Sequence, residues 1–383
     1  MGMTRRNFVR WAGIGAAATA AGATAEPGKP DPQAAAGGLS REERGIHPVL
    51  ERDHPYLFID SCMQIWPDAR FEEAHRYGAT VYGVTAWDPH LDVDRALEGL
   101  MFWHHVARAH PRLAVVTRAE DIPELKRSGQ VGVLLASQCG DFIGGKIHRL
   151  EAFYRLGLRM LIPAYSMTNR ICGGCLDKAD GGLTSLGELV VAECDRLGLL
   201  LDCSHLGSRS ALEVIDRSRN PVVFSHSGAA AVCPNPRNVD DAGIKACAAK
   251  GGVVGLCPWG PMLLKPGRTN RPTVDDFIDH IDHAAQVIGS VDQIGVGTDM
   301  SLGTYPEHAR DPWGTPELKD VTGAYDKHVT PNFRSPRRMA EGFDNYAGVL
   351  NFVDRLGRRG YKDSDARKIL GENFLRVFRA VWK

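Results

Sequence analysis

Leu199-Leu-Leu-Asp-Cys-Ser-His205 sets a run of leucines before a polar tip that ends on a histidine. Val222-Val-Phe-Ser-His226 repeats the pattern one helix-length later, and Gln293-Ile-Gly-Val-Gly-Thr-Asp299 ends the same way on a carboxylate. Short runs of apolar residues without alternation are what strands buried on both faces look like. When such strands carry reactive side chains at their C-terminal tips, with a helix-sized segment between tips, the arrangement is that of a parallel α/β barrel and its active-site face.

Working outward, the chain holds eight such runs: Tyr56 to Asp60, Thr80 to Thr85, Val131 to Ala136, Met160 to Ala164, Leu199 to Cys203, Val222 to Ser225, Gly252 to Cys257 and Ile294 to Gly297. Amphipathic stretches separate them, among them Arg95 to Ala109, Lys146 to Leu156, Ser185 to Leu197, Ser208 to Ser218 and Asp275 to Ile288. Eightfold strand–helix alternation predicts an α/β fold of the (β/α)8 TIM-barrel class. Asp363 to Trp382 reads as a closing helix.

The first 25 residues belong to a different function. Thr4-Arg5-Arg6-Asn7-Phe8-Val9 is a twin-arginine pattern, followed by a small apolar run from Trp11 to Ala25 with an A-x-A site at Ala23-Thr24-Ala25. The run is too short and too rich in Ala and Gly to span a bilayer well. Residues 1–25 are therefore expected to be a twin-arginine signal peptide, 26–50 a flexible leader rich in Pro, Gly and Ala, and 51–383 a single barrel domain. The twin-arginine translocase is then a partner during export, and the mature chain is expected in the periplasm.

Lys+Arg and Asp+Glu both total 46, so net charge gives no reason to expect nucleic-acid or anionic-membrane binding. With 43% hydrophobic residues the chain can bury one large core. Nine cysteines are many for an oxidising compartment. Cys172-Gly-Gly-Cys175 reads as a small disulfide or free thiols rather than half of a metal site.

A single buried histidine is more often a satisfied core residue than a ligand. His205 and His226 on neighbouring strand tips are harder to explain that way, since paired neutral imidazoles at a barrel mouth suit zinc. Asp299, behind a Gly-x-Gly turn, is either a cap for the next segment, a metal ligand, or the proton acceptor for an attacking water. Arg237, in a Pro-rich loop, is placed to grip a substrate carboxylate with both arms of its guanidinium. Its loop position predicts that the fold tolerates its loss.

These segments, together with Pro236-Arg-Asn238, Gly251-Gly-Val-Val-Gly255 and Ile369-Leu-Gly-Glu-Asn-Phe-Leu-Arg-Val377, resemble the membrane (renal) dipeptidase family, peptidase family M19, from about Tyr56 to Trp382. The resemblance implies an amidohydrolase-type barrel with two zinc ions that cleaves dipeptides, often tolerating a D-residue on the C-terminal side. It also implies a homodimer, although no self-complementary patch is legible.

The chain departs from that pattern in four places. Cys62 and Gln64 stand where the family's zinc-binding His-x-Asp pair should be, Gln138 replaces the bridging glutamate, and Tyr165 replaces a substrate-polarising histidine, while Asn169 is kept as a substrate-side residue. A bridging carboxylate offsets the repulsion of two cations about 3.5 Å apart, which a neutral glutamine does not. One zinc is therefore expected rather than two, on His205 and His226, with Asp299 or a Cys62 thiolate as a further ligand and Gln138 as a weaker one. A Cys62–Cys139 disulfide would remove the thiolate. Three readings follow: a one-zinc hydrolase of a dipeptide or small amide, with Asp299 as base; a changed tailoring reaction using Tyr165 or Cys62; and a non-catalytic binding protein.

Overall fold

The computed structural model describes residues 54–65, 79–87, 89–268, 270–302 and 338–383; the expected signal peptide and leader lie outside them. Among the described residues there are ten strands: β1 (Ile59–Ile65), β2 (Val81–Thr85), β3 (Leu113–Val115), β4 (Val131–Ser137), β5 (Leu158–Leu161), β6 (Leu200–Leu201), β7 (Val223–Ser227), β8 (Val253–Leu256), β9 (Ile294–Val296) and β10 (Ser301–Leu302). Eight of them coincide with the eight apolar runs of the sequence; β3 and β10 are short additions.

All pairings between strands are parallel. One sheet runs β10-β1-β2-β4-β5-β6, with β3 beside β4, and a second runs β7-β8-β9. A parallel bridge between Asp202 and Val223 joins β6 to β7. At the other seam Asp299 N–H donates to Cys62 C=O at 2.8 Å and Gln64 N–H to Met300 C=O at 2.8 Å, carrying the chain from β9 onto β1. These joints run the two sheets into one cylinder, as a (β/α)8 barrel requires.

The inside and outside of the cylinder separate by the two-residue period of a strand. Ile59, Val81, Leu134, Ala136, Met160, Leu200, Val223 and Val253 belong to one buried cluster, and their chain neighbours Phe58, Tyr82, Leu135, Leu161, Leu201, Phe224 and Val254 to the other. The first cluster also holds Phe374, Leu375, Phe378 and Val381 of the closing helix Asn373–Val381, which therefore packs at the end opposite the reactive tips. Gly295 makes this approach workable: a Cβ there would sit 2.3 Å from the Phe374 ring. At Gly297 a Cβ would meet Ser225 C=O at 2.0 Å, so only glycine lets the ninth strand lie this close to the seventh.

The helices Val93–Ala109, His148–Arg155, Ser185–Leu197, Ser208–Arg217 and Val274–Ile288 fall where the sequence places them. The last starts with a capping box in which Thr273 and Asp276 satisfy each other's backbone N–H groups. The expected closing helix is broken by a π-helical turn over Lys368–Glu372. No described helix is long and apolar enough to cross a membrane. All nine cysteines are free thiols, so neither the Cys172–Cys175 nor the Cys62–Cys139 disulfide is formed.

Candidate metal centre and its surroundings

His205 and His226 meet as the sequence suggests. Their Nε2 atoms lie 2.9 Å apart, deep in the mouth of the barrel, and both residues are buried. Each ring is held from behind through Nδ1, His205 by Ser166 Oγ at 2.7 Å and His226 by Ser225 Oγ at 2.7 Å. Ser225 Oγ donates its one hydrogen to Asp202, so it accepts from His226 Nδ1–H, and the lone pair of His226 Nε2 faces His205. Asp202 is itself fixed by the N–H groups of Ser204 and Ser225, both at 2.9 Å. A carboxylate–hydroxyl–imidazole chain of this kind orients a metal-binding histidine from behind.

Burial holds both imidazoles well below their usual pKa, and the Arg237 guanidinium adds to the effect. Two neutral imidazoles with nitrogens at 2.9 Å either share an N–H···N hydrogen bond, His205 Nε2–H donating to His226 Nε2, or turn both lone pairs to a cation. The backbone supports the same site. Ser166, His205 and Asp299 are the three non-glycine residues with left-handed backbone among those described, at φ of 45°, 69° and 52°. Strain of this sort persists where the surroundings over-determine it, commonly at functional sites.

The altered positions are engaged with one another. Gln64 Nε2 donates to Asp299 Oδ1 at 2.9 Å, and Gln138 Nε2 donates to Cys62 Sγ at 3.2 Å. A carboxylate only accepts, so Gln64 must present its amino group to Asp299. Burial raises the Asp299 carboxyl above the usual carboxylate range, with Arg338, Gln64 and Arg237 pulling the other way. Burial also pushes the Cys62 thiol well up, and the charge of Asp299 adds to it. Cys62 is thus a neutral thiol unless a cation draws off its proton.

The amide groups of Gln64 and Gln138 bring no negative charge to offset the repulsion of two cations. The set does fit one ion facing the two Nε2 atoms. Neither Asp299 nor Cys62 brings a ligand atom within 4.8 Å of both imidazoles. Among the described residues one trio of His, Cys, Asp or Glu side chains meets that distance, and it is His90, Cys139 and Asp141.

Tyr165 stacks on His205, with ring centroids 4.2 Å apart and planes at 28°. Arg237 is buried, and its Nη2 donates to His226 C=O at 3.3 Å. Its loop position therefore does not leave it exposed: the guanidinium is packed against the backbone of His226. Asn169 turns its amide into its own loop. Its Oδ1 accepts from Ile171 N–H and Cys172 N–H, while its Nδ2 donates to Pro163 C=O and Asp141 Oδ1. Sequence reasoning missed Asp202, Ser166 and Ser225; the Asp-Cys-Ser-His spacing alone does not reveal that a carboxylate stands behind the next strand's histidine.

The model of the membrane dipeptidase family, peptidase family M19, matches residues 70–322. The chain belongs to this family. Dipeptidase 3 of Rattus norvegicus is 30% identical over 292 residues, 75% of this chain and 52% of that protein. The chain spans about half the length of the curated dipeptidases it matches. Among solved structures, an amidohydrolase from Pseudomonas aeruginosa superposes with a TM-score of 0.73 at 28% identity, covering 85% of this chain and 97% of that one. A metallo peptidase from Rhodobacter sphaeroides, liganded with a phosphinate mimic of the dipeptide L-Ala-D-Ala, gives 0.62 at 25% identity, covering 77% and 78%.

Proposed function

We propose that this M19 chain is a periplasmic, zinc-dependent hydrolase of a dipeptide or related small amide, working with one zinc ion. The observation that carries the reading is the pair of buried Nε2 atoms 2.9 Å apart, each ring locked from behind by a hydroxyl. Family membership and the dipeptide mimic bound to the Rhodobacter sphaeroides relative support the substrate class. The twin-arginine pattern supports a folded, exported chain.

His205 and His226 would hold the ion, with Cys62 or Asp299 moving in to complete its coordination. Zinc supplies Lewis acidity towards water and an amide carbonyl. The chain's own residues do the rest. Asp299, with its pKa raised by burial, takes a proton from the attacking water at Oδ2 while Gln64 steadies Oδ1. Arg237 fixes His226 and supplies the positive charge that a substrate carboxylate requires. Tyr165 covers the outer face of His205 and screens it from bulk water.

The test is elemental analysis of the protein purified from its native host, together with dipeptide hydrolysis. One zinc is expected at this centre, lost in His205→Ala and in His226→Ala along with turnover. Full zinc content in both variants would overturn the assignment.

The neutral thiol and the glutamine donors also favour a second reading, in which the same pocket runs a different tailoring reaction. Tyr165 or Cys62 then serves as the proton-transfer group. Zinc-dependent turnover of a non-peptide substrate, abolished in Tyr165→Phe, would favour it.

A further inference from the structure

We propose that His90, Cys139 and Asp141 form a second metal site, on the rim of the barrel, for a borderline divalent cation of the zinc class. It is separate from the His205–His226 pair and does not depend on how that pair is used. The ligand atoms of the three side chains all lie within 4.8 Å of one another. One imidazole nitrogen, one sulfur and one carboxylate oxygen are the donor set that zinc and its neighbours prefer, and three protein donors leave a position for water or a small ligand.

The fold brings these residues together although they are distant in sequence. His90 follows β2, while Cys139 and Asp141 follow β4, and β2 pairs directly with β4 because β3 is displaced to the side. Gly140 sets the angle between the latter two. Its N–H donates to Pro163 C=O at 3.1 Å, and a Cβ there would sit 2.4 Å from Ile171 Cδ1. Cys139 is buried, whereas His90 and Asp141 are partly open to solvent, so an ion has a route in.

Asn169 orients the trio from behind. Its Oδ1 is taken by Ile171 N–H at 2.8 Å and Cys172 N–H at 3.2 Å, so the Nδ2 end must face the cluster. There it reaches Asp141 Oδ1 at 3.0 Å and Cys139 Sγ at 3.6 Å. One immobile amide thus fixes the Asp141 ligand, its second hydrogen going to Pro163 C=O at 2.9 Å, as the outer partners of metal sites do. The Tyr165 ring, edge-on to His90 at 5.8 Å and stacked on His205, stands between the two centres.

Cobalt(II) binding to the chelator-stripped, full-length protein separates the two centres, because thiolate-to-cobalt charge transfer absorbs in the near ultraviolet. The wild type is expected to show this band. It should survive in Cys62→Ser, His205→Ala and His226→Ala and vanish when Cys139→Ser is added to any of these. His90→Ala and Asp141→Asn should each weaken cobalt binding at this site tenfold or more, and they carry the test if Cys139→Ser does not fold. Absence of the band from wild type, or its loss in Cys62→Ser with retention in Cys139→Ser, would overturn the proposal. Either result leaves the zinc assignment at His205 and His226 to its own test.

Discussion

Gln138 differs from the glutamate that the family resemblance implies by a single substituent, and Gln64 from the implied aspartate by the same substituent and one methylene; that substituent reverses what the site offers. An amide presents two hydrogens where a carboxylate presents only lone pairs, so Gln138 donates to the neutral Cys62 thiol instead of drawing in a cation. Gln138→Glu alone should therefore place an uncompensated charge beside a buried thiol. The expected loss of stability is roughly 1–3 kcal/mol in metal-free protein, recovered in part when zinc is added, as thermal melts with and without zinc would show. Combined with Cys62→His and Gln64→Asp, the same change should raise zinc content from one ion towards two, and dipeptidase turnover with it. Two ions in the unaltered protein, both kept in Cys139→Ser and one lost in Cys62→Ser, would mean that a thiol and two amides suffice. Arg237 makes the complementary case. Arg237→Ala should weaken a carboxylate ligand by roughly 1.5–3 kcal/mol and, because the side chain is buried against His226, also lower the melting temperature. An unchanged melting temperature would show that the packing behind the imidazoles is incidental.

At the scale of elements, the eight barrel strands were legible because burial on both faces writes itself as uninterrupted Val, Ile and Leu. Their limits were less so. β1 was expected to end at Asp60 but runs to Ile65, because β2 and β10 continue to pair with it past the polar Asp60-Ser61-Cys62. Cys62 and Gln64 consequently sit on the strand and not beyond its tip. The helix Asp241–Ala249 went unnoticed, since DAGIKACAA has almost no polar face to set against its apolar one. The rim cluster was illegible for another reason: His90 and Cys139 become neighbours only because β3 steps out of the strand order.

The helix Val274–Ile288 adds a pH dependence of its own. Buried His280 accepts Ala229 N–H through Nδ1 at 2.8 Å, and burial lowers its pKa to about 4. The folded state thus binds the proton less well than the unfolded chain. This stability is complete above the unfolded pKa near 6.5 and is lost as pH falls from there towards 4, by roughly 3 kcal/mol at most. His280→Gln keeps an acceptor for Ala229 but does not titrate. The drop in melting temperature between pH 7 and pH 5 should be smaller in that variant, and an identical drop would place the acid sensitivity elsewhere.

For the whole molecule, the cysteines bear on how the chain reaches its place of work. Eight of the nine free thiols are buried, with Cys175 partly exposed, and they are distributed over the barrel instead of being grouped in pairs. A chain crossing unfolded into an oxidising compartment would expose all nine to mispairing before the barrel closed. A chain that folds first, in a reducing cytoplasm, carries them across already packed and able to hold a metal acquired there. The twin-arginine route transports folded proteins, so the Arg5-Arg6 pattern and the reduced, cysteine-rich barrel support the same proposal. Replacing Arg5 and Arg6 together by lysine should leave the precursor in the cytoplasm, folded and with its thiols reduced. Exchanging residues 1–25 for a leader of the general secretory route should deliver the chain to the periplasm, where mixed disulfides form and zinc content falls. Cell fractionation, thiol counting and elemental analysis read out both experiments. Normal periplasmic delivery of the double-lysine precursor would sink the export proposal, and a fully reduced, zinc-loaded product from the general secretory route would show that folding before transport is not what protects the thiols.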